Sequence, residues 1–444
     1  MGKSDIFGWL VQRSPWPWWI APAAVLGALS GQVVRATPDG GMDNAIVVRA
    51  ARTWLAGGSP YDDPHFLYLP GAVLAAAPQA LLPHALVRVL VPCAVTACLV
   101  AAWACALRLH RVPLGSRFAV LGLTALAAGF APFAHLVRLG NWTVSAALAL
   151  PLALLLAGRE RWVAAGAVIG ATLAVKPLLA PVALLFVCAR RWRALAVLLA
   201  VPAVVSVLCA LALPDPAGFV TRTLPFLLHG DDAFVRLYEA SPAAVLPRLG
   251  VPAPLARALA LAACAAGTAC AWLRWRRGGP GPLRLAEAAC GLMLSAFLVS
   301  RPSYDHYLVV VLPLLLAGLP YAGSVARGPW FWLALVPQLP GVTWPFLEPV
   351  TRRAFRDAAT LGALAVAVAR TARPAGTTPP PAPGPRAART RRPAAPGHRC
   401  RYPRGQAAIP RFDPPGRIRV LCIFVVYWLA HSHGTGPYTG PPGR

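Results

Sequence analysis

Short polar segments interrupt an otherwise apolar chain, and the first of them opens on an acid. Asp43 begins the segment 43–55, whose apolar residues favour one helical face and which is followed by a pair of glycines, a helix-stop signal. The pattern predicts a helix lying in the membrane interface. Asp43 either caps this helix or acts as a base toward a hydroxyl group. Arg49 and Arg52 on the same helix either bind a phosphate or snorkel to the membrane surface.

Two tyrosines, an asparagine and an isolated lysine extend the set of candidates. Tyr61 and Tyr68 lie between this helix and the next apolar run, where aromatic residues also serve as membrane-interface anchors. Asn141 lies in a polar break between two apolar runs. Lys176 is the single lysine of the apolar part of the chain. An ionisable group at membrane depth is costly and is therefore a functional candidate, although it also serves to snorkel at a helix end.

The last candidate segment is Ser300–Tyr307, which opens another apolar run and contains Arg301, Asp305 and His306. An Asp-His pair at a helix start binds a metal, relays protons or caps the helix, and the residues alone leave these roles open. One Asp and one His do not complete a metal site. No two of the ten cysteines have the spacing of metal ligands. The residues alone therefore define no metal site.

These segments must be positioned by apolar helices. The chain of 444 residues is 57% hydrophobic and 13% charged, whereas soluble domains have about 25% charged residues. Apolar runs of about 20 residues, the length that crosses hydrocarbon as a helix, recur along the chain. The sequence predicts an all-α polytopic membrane protein with about twelve transmembrane helices in residues 1–371. Residues 372–444, rich in proline and arginine, are predicted to form a disordered cytoplasmic tail.

The net charge of +27 does not indicate nucleic-acid binding. Most arginines lie in short loops between apolar runs or in the tail after Thr371, which is the pattern of cytoplasmic helix ends. No aromatic stacking motif accompanies them. Lysine is almost absent, and the abundance of alanine, glycine and proline suggests a GC-rich genome such as that of an actinobacterium.

The basic loops also constrain the topology. If every apolar run were a simple span, loops 108–117 and 158–162 would lie outside the cytoplasm, against the positive-inside rule. If instead 66–83 is re-entrant and 163–189 is a helical hairpin, both loops return to the cytoplasmic side and Lys176 reaches the outer side, where most acids lie. We prefer the second arrangement. Irregular backbone at membrane depth is tolerated only where it lines a protein cavity or is buried in protein, so this arrangement also indicates a site.

In their order and spacing, the motifs resemble those of glycosyltransferase family 87, membrane enzymes of the GT-C superfamily that use polyprenyl-phosphate sugar donors. The family has an acid leading an Ala-rich helix to Gly-Gly-x-x-Tyr, a Tyr-x-Pro-Pro helix entry and a Gly-Gln-x-Asn segment. A Gly-rich helix that reaches a lysine and a Ser-Pro-x-Ser-Trp-x-His-His motif follow. The segments that carry the resemblance, over about residues 40–320, are Asp43–Tyr61, Tyr68–Gly71, Leu139–Thr143, Gly166–Lys176 and Ser300–Tyr307.

The resemblance implies a GT-C-type fold and an inverting sugar transfer from a polyprenyl phosphate to a hydroxyl of an envelope glycolipid, without a metal or a cofactor. By position, Asp43 is the expected general base. The residues expected to bind the donor phosphate are Lys176, Arg49, Arg52, Arg301 and His306. The residues expected to line the substrate site are Tyr61, Tyr68, Asn141 and Asp305. The resemblance also implies that the site faces outward at the plasma membrane.

Mannose is the sugar that we expect, with a phosphatidylinositol mannoside or lipomannan as the acceptor. The first alternative is an arabinofuranosyltransferase that uses a polyprenyl-phosphate arabinofuranose. The second is a polyprenyl-lipid transporter or a non-catalytic envelope assembly protein, although the sequence has no convincing internal repeat of the kind common in transporters. The expected partners are the lipid-linked sugar donor, the glycolipid acceptor and membrane lipids.

Overall fold

The structure is a computed structural model that describes residues 3–37, 39–229, 237–342 and 352–372. These residues form helices joined by short connections. The described ranges contain no β-strand, only an isolated bridge between Arg13 and Ser116. The predicted all-α class is confirmed. The predicted disordered tail lies outside the described residues from position 373 onward and stays a prediction.

The helices are numbered in chain order. The first nine are α1 (Lys3–Val11), α2 (Ile20–Ala36), α3 (Met42–Leu55), α4 (Pro70–Ala80), α5 (His84–Leu109), α6 (Arg117–Gly129), α7 (Ala131–Leu139), α8 (Thr143–Ala157) and α9 (Trp162–Leu173). The others are α10 (Ala183–Cys188), α11 (Trp192–Leu211), α12 (Leu224–His229), α13 (Pro242–Val245), α14 (Ala253–Arg276), α15 (Gly281–Phe297), α16 (Leu312–Ala317), α17 (Pro329–Leu335) and α18 (Arg353–Arg370). The 3-10 helices include Pro177–Val182 and Asp305–Val310.

Only some of these helices are long and apolar enough to cross a bilayer. In the described ranges they are Trp16–Ala36, His84–Leu109, Trp192–Leu211 and Ala253–Arg276. Helices α6 and α7 provide a fifth span if they act together, with a bend of 70° between them. The predicted count of about twelve spanning helices is therefore not confirmed, because several apolar runs are divided into shorter helices. The placement of α3 in the membrane interface also stays a prediction.

One of the divided runs is the predicted hairpin. Helix α9 ends at Leu173, and the chain resumes as a 3-10 helix at Pro177, because proline lacks an N–H donor and clashes with the preceding helical turn. The chain then turns back. Phe186, near the end of α10, packs edge-on against Trp162 at the start of α9, with ring centroids 5.7 Å apart. Lys176 therefore lies at the turn of the hairpin.

The packing of α11 on α9 supports this path. An ideal Cβ on Gly166 would lie 2.3 Å from the carbonyl oxygen of Ala194, and one on Gly170 would lie 3.0 Å from that of Leu198. Glycine permits such close backbone contact because it has no side chain. The contacts move toward higher residue numbers on both helices, from Gly166 and Ala194 to Gly170 and Leu198. Helices α9 and α11 therefore run parallel. The intervening α10 must then run in the opposite direction, as a hairpin requires.

Arginine-rich loops gather at one end of the helices. Glu160, between α8 and α9, lies 2.5 Å from Arg191 at the start of α11. Gly158 at the end of α8 packs against Leu109 at the end of α5. The loops after α5 and α8 therefore share this end, which we call the basic end. We call the opposite end, with the hairpin turn, the turn end. This grouping agrees with the positive-inside argument.

Helix α4 does not cross between the two ends. Its 11 residues span about 16 Å at 1.5 Å per residue, short of the roughly 30 Å of hydrocarbon. Just before it, the Leu69 N–H donates to the Val175 carbonyl at the hairpin turn, at 3.3 Å. Just after it, the His84 ring lies 2.8 Å from Asp39, which precedes α3. Both ends of α4 thus lie at the turn end, as expected for a re-entrant segment.

We expect Gly166→Ala to lower the thermal stability of the detergent-solubilised protein, because the added methyl group would meet the Ala194 backbone. Overpacking of this kind costs about 1–3 kcal/mol. Gly27→Ala is the matched control, since a Cβ at this helical position has no heavy atom within 4 Å. Thermal unfolding scans of both variants check the prediction. Equal unfolding midpoints would contradict the close packing of α9 on α11.

Candidate active site

The start of α3 rests directly on the turn that follows α7. Gly41 has a φ of 128°, and an ideal Cβ on it would lie 2.3 Å from the carbonyl oxygen of Leu139. Gly140 has a φ of 58°, and a Cβ there would lie 2.4 Å from the carbonyl oxygen of Gly40. Glycine is suited to both the positive φ values and the close backbone contact. The contact brings the first turn of α3 to the start of α8.

Asp43 and Lys176 are joined through an amide at this contact. The interpretation of Asp43 as a helix cap is wrong, because Gly41 is the N-cap residue of α3 and Asp43 lies within the first turn. Its Oδ2 instead accepts a hydrogen bond from Asn141 Nδ2. Asn141 Oδ1 in turn accepts one from Lys176 Nζ at 3.2 Å. The structure thus brings together three of the predicted site residues, a carboxylate, an amide and an ammonium group.

Further contacts hold the ammonium group of Lys176. Its Nζ donates to Thr143 Oγ1 at 2.9 Å and lies 5.3 Å from the ring centroid of Tyr68 and 5.1 Å from that of Tyr307. The aromatic faces attract the cation and so offset part of its desolvation. Thr143 and Tyr307 are buried, whereas Lys176 and Asp43 are half-buried.

Tyr68 forms a neutral wall of the cluster. Burial, and then the nearby Asp43 carboxylate, raise the pKa of the Tyr68 phenol well above its ordinary value, so the phenol stays protonated. Its ring packs edge-on against Trp142, with centroids 6.5 Å apart. Trp142 Nε1 donates to Asn44 Oδ1 at 3.1 Å. Sequence reasoning did not select Asn44, Thr143 or Tyr307, which are polar residues beside selected ones.

Three predicted site residues of the first loop lie elsewhere. Arg49 is on an exposed face of α3, 3.9 Å from Asp63, and Arg52 Nε donates to the Ala80 carbonyl at 3.4 Å. Because successive helical residues rotate by about 100°, positions 49 and 52 do not share the face of position 43. Tyr61 is buried, with its ring against those of Phe66 and Phe219. The structure does not bring Arg49, Arg52 or Tyr61 to the Asp43 cluster.

Arg301 and His306 occupy distinct environments. Arg301 Nε lies 3.0 Å from Glu239 Oε1, and the Glu239 side chain is 1% exposed. The Arg301 charge is therefore balanced within the protein by an acid to which the sequence assigned no role. His306 is buried and stacks on Tyr304, with ring centroids 5.4 Å apart. In the described ranges its Nε2 has no hydrogen-bond partner, so this nitrogen can bind another group.

Asp305 is the centre of a second polar cluster. Its Oδ2 lies 2.5 Å from His135 Nδ1 and 3.2 Å from Arg353 Nη2. Its Oδ1 accepts the backbone N–H of His306 at 2.7 Å. Sequence reasoning selected Asp305 and His306 but missed His135 and Arg353. A signal for His135 was available, because an ionisable residue within the apolar run 118–137 is unusual.

Metal-binding side chains do not converge in this part of the protein. No three His, Cys, Asp or Glu residues among those described form a group that could hold a metal ion, and the described cysteines are all free. The expectation that the protein needs neither metal nor cofactor stays a prediction.

Apolar helices with an acid–amide–lysine cluster at one end define a polytopic membrane protein with a candidate catalytic centre. The sequence profile of glycosyltransferase family 87 matches residues 66–300. The chain is similar to the alpha-(1->3)-arabinofuranosyltransferases of two Mycobacterium tuberculosis strains, with 33% identity over 326 residues, which cover 71% of this chain and 74% of each relative. A Mycolicibacterium smegmatis protein of the same name is 30% identical over 278 residues, which cover 62% of this chain and 63% of the relative. The chain belongs to glycosyltransferase family 87. No solved structure matches it.

The family confirms the resemblance, and the chain is a membrane glycosyltransferase. The prediction of mannose as the transferred sugar is wrong, because the similar proteins carry the name of arabinofuranosyltransferases. The motifs that carried the resemblance identify the family, and the choice of mannose within that family did not follow from them.

Replacing Asn141 tests the link between the two charged groups. We expect Asn141→Leu to reduce glycosyl transfer by about 100-fold, because the carboxylate and the ammonium group both lose a hydrogen-bond partner. Ser145→Ala, four residues further along in the first turn of α8, is the control, since the Ser145 hydroxyl donates to the Trp142 carbonyl. The measurement is sugar transfer from a radiolabelled polyprenyl-phosphate donor in isolated membranes, normalised to the amount of protein. A wild-type rate for Asn141→Leu would contradict the prediction.

Proposed function

We propose that the protein transfers arabinofuranose from a polyprenyl-phosphate donor to a hydroxyl group of an envelope glycan or glycolipid. Family membership supports the class of reaction, and the names of the similar mycobacterial proteins support the sugar. The observation that carries the chemistry is the hydrogen-bond chain from Asp43 through Asn141 to Lys176. It provides a base and a cation side by side, the two groups needed to displace a phosphate from a sugar.

In this proposal Asp43 is the general base. Asn141 holds Oδ2 of the carboxylate, and the other oxygen faces the acceptor hydroxyl. The carboxylate removes the hydroxyl proton as the acceptor oxygen attacks C1 of arabinofuranose, and the bond from C1 to the phosphate oxygen breaks. Because the attack comes from the side opposite the phosphate, the configuration at C1 inverts. A carboxylate held in one orientation lowers the entropic cost of the attack.

Lys176 stabilises the leaving polyprenyl phosphate. An ammonium group has three N–H donors, and among the described residues two of them reach Asn141 and Thr143. The third can bind a phosphate oxygen, and this interaction strengthens as negative charge develops there. The rings of Tyr68 and Tyr307 flank the ammonium group and reduce its contact with water, which strengthens the attraction further.

The other predicted phosphate ligands have smaller roles in this proposal. His306 has an unpaired ring nitrogen within the described part of the chain and can add a second contact to the phosphate. Arg301 is paired with a buried carboxylate, so its charge attracts a phosphate less strongly. Arg49 and Arg52 lie on other faces of α3 and are not assigned to the phosphate.

We assign the reaction to the outer side of the plasma membrane. The arginine-rich loops share the basic end of the protein, and such loops remain in the cytoplasm during membrane insertion. The turn end, which holds Asp43 and Lys176, then faces outward. A lipid-linked donor in the outer leaflet reaches this end without crossing the membrane.

The decisive variant is Asp43→Asn. It keeps the size of the side chain and can still contact Asn141, but it cannot accept the hydroxyl proton. We expect kcat to fall by about 10²–10⁴-fold with little change in KM for the donor. The assay uses purified protein in lipid nanodiscs with a radiolabelled polyprenyl-phosphate arabinofuranose and a synthetic arabinofuranoside acceptor.

Asp63→Asn is the matched control, since Asp63 lies in the same loop region and pairs with Arg49 rather than with Asn141. Its activity should equal that of the wild type. Substantial transfer by Asp43→Asn would contradict the role of Asp43 as a base. Wild-type protein that transfers a hexose but no arabinofuranose from the same lipid would contradict the assigned sugar.

A further inference from the structure

We propose that His135, Asp305 and Arg353 form a positioning cluster that holds Lys176 in its reactive place, although none of the three is a ligand of the ammonium group. The inference deepens the proposed function, because it rests on the role of Lys176 at the leaving phosphate. It assigns a purpose to a buried charged cluster that the proposed reaction does not itself use.

The Asp305 carboxylate connects three separate segments. Its Oδ2 lies 2.5 Å from His135 Nδ1 on α7 and 3.2 Å from Arg353 Nη2 at the start of α18. Its Oδ1 accepts the backbone N–H of His306 at 2.7 Å, which fixes the first turn of the 3-10 helix Asp305–Val310. One carboxylate therefore clamps α7, this 3-10 helix and α18 to one another.

Two of the clamped segments present partners to Lys176. Helix α7 ends four residues after His135, at Leu139, and the backbone N–H of Asn141 still bonds to the Leu136 carbonyl at 3.4 Å. Asn141 then accepts the hydrogen bond from Lys176 at 3.2 Å. A shift of α7 would therefore move this amide directly.

The 3-10 helix presents the other partner. Tyr307 follows Asp305 by two residues, and its ring centroid lies 5.1 Å from Lys176 Nζ. Asn141 and Tyr307 approach the ammonium group from different segments, and these segments are joined through Asp305. The separation between the amide and the ring, and with it the place of the ammonium group, depends on that one carboxylate.

The cluster is suited to this task because its charges are shielded from water. The side chains of His135, Asp305 and Arg353 are 20%, 8% and 23% exposed. Ionic and hydrogen-bonded partners in such surroundings interact strongly, and removing either basic partner leaves the Asp305 carboxylate less well compensated. Loss of either basic partner should therefore let α7 and the 3-10 helix separate, rather than leave the geometry unchanged.

Displacement of Lys176 predicts a particular kinetic change. Its charge acts mainly on the transition state, where the leaving phosphate gains negative charge. Misplacement by about 1 Å can cost about 100-fold in rate. We therefore expect His135→Leu and Arg353→Leu to lower kcat by 10- to 100-fold, with about the same KM for the lipid donor. His135→Asn should restore most of the rate relative to His135→Leu, because the Asn amide can still hydrogen-bond with Asp305 Oδ2.

The chain provides a close control on the same helix. Arg356 is 22% exposed, as against 23% for Arg353, and it lies 3.5 Å from Asp357 rather than beside Asp305. Arg356→Leu removes the same charge and a similar volume from α18. It should leave kcat at the wild-type value.

A second measurement does not depend on activity. The sequence has only two lysines, Lys3 and Lys176, so amine labelling followed by mass spectrometry reports Lys176 with Lys3 as an internal standard. In full-length protein in nanodiscs, His135→Leu and Arg353→Leu should label faster at Lys176 relative to Lys3 than the wild type does. Arg356→Leu and His135→Asn should label at the wild-type ratio.

These outcomes separate the two proposals. Faster Lys176 labelling and a lower kcat in both leucine variants of the cluster, with rescue by His135→Asn, support the positioning role. An unchanged labelling ratio, or equal losses in Arg353→Leu and Arg356→Leu, overturns it. If the wild type transfers no arabinofuranose, the proposed function fails, while the labelling ratio still decides whether the cluster positions Lys176.

Discussion

A charged group among apolar helices is stable only when the protein supplies its partners, and the Asn141 amide meets this requirement for two charges at once. It donates to Asp43 and accepts from Lys176, which are far apart in the sequence. The hairpin that presents Lys176 and the glycine contact that brings α3 to α7 both lead to this amide. Much of the turn end is arranged so that these three side chains can meet.

The site residues that sequence reasoning found are those whose types are rare in their surroundings. Lys176 stood out among arginines, and Pro177 indicated the break that makes the hairpin. His135 and Arg353 were missed because the partner that explains them, Asp305, is 170 and 48 residues away in the sequence. The number of spanning helices could not be predicted from the sequence either, because an apolar run does not show where tertiary packing will divide it into shorter helices.

The wrong prediction of the sugar has a related cause. The proposed proton removal and phosphate departure would use a carboxylate base and a cation, and both can be recognised as residue types. A five-membered and a six-membered sugar ring differ in shape, and shape is read by the walls of a pocket. A short motif does not report the shape of a pocket. Similarity to whole proteins carries that information instead.

The turn of the hairpin lies short of the C-terminal end of the neighbouring helix α11. A Cβ on Gly71 would meet both the Ala174 carbonyl oxygen, at 2.4 Å, and a Val205 methyl group, at 3.2 Å, so the turn is level with Val205. From Val205 to the end of α11 at Leu211 the helix rises about 9 Å. Lys176 thus lies about 9 Å short of the C-terminal end of α11. A donor of the proposed kind, anchored by an isoprenoid chain, would reach this position by lateral diffusion, whereas a water-soluble nucleotide sugar would have to descend past the end of α11.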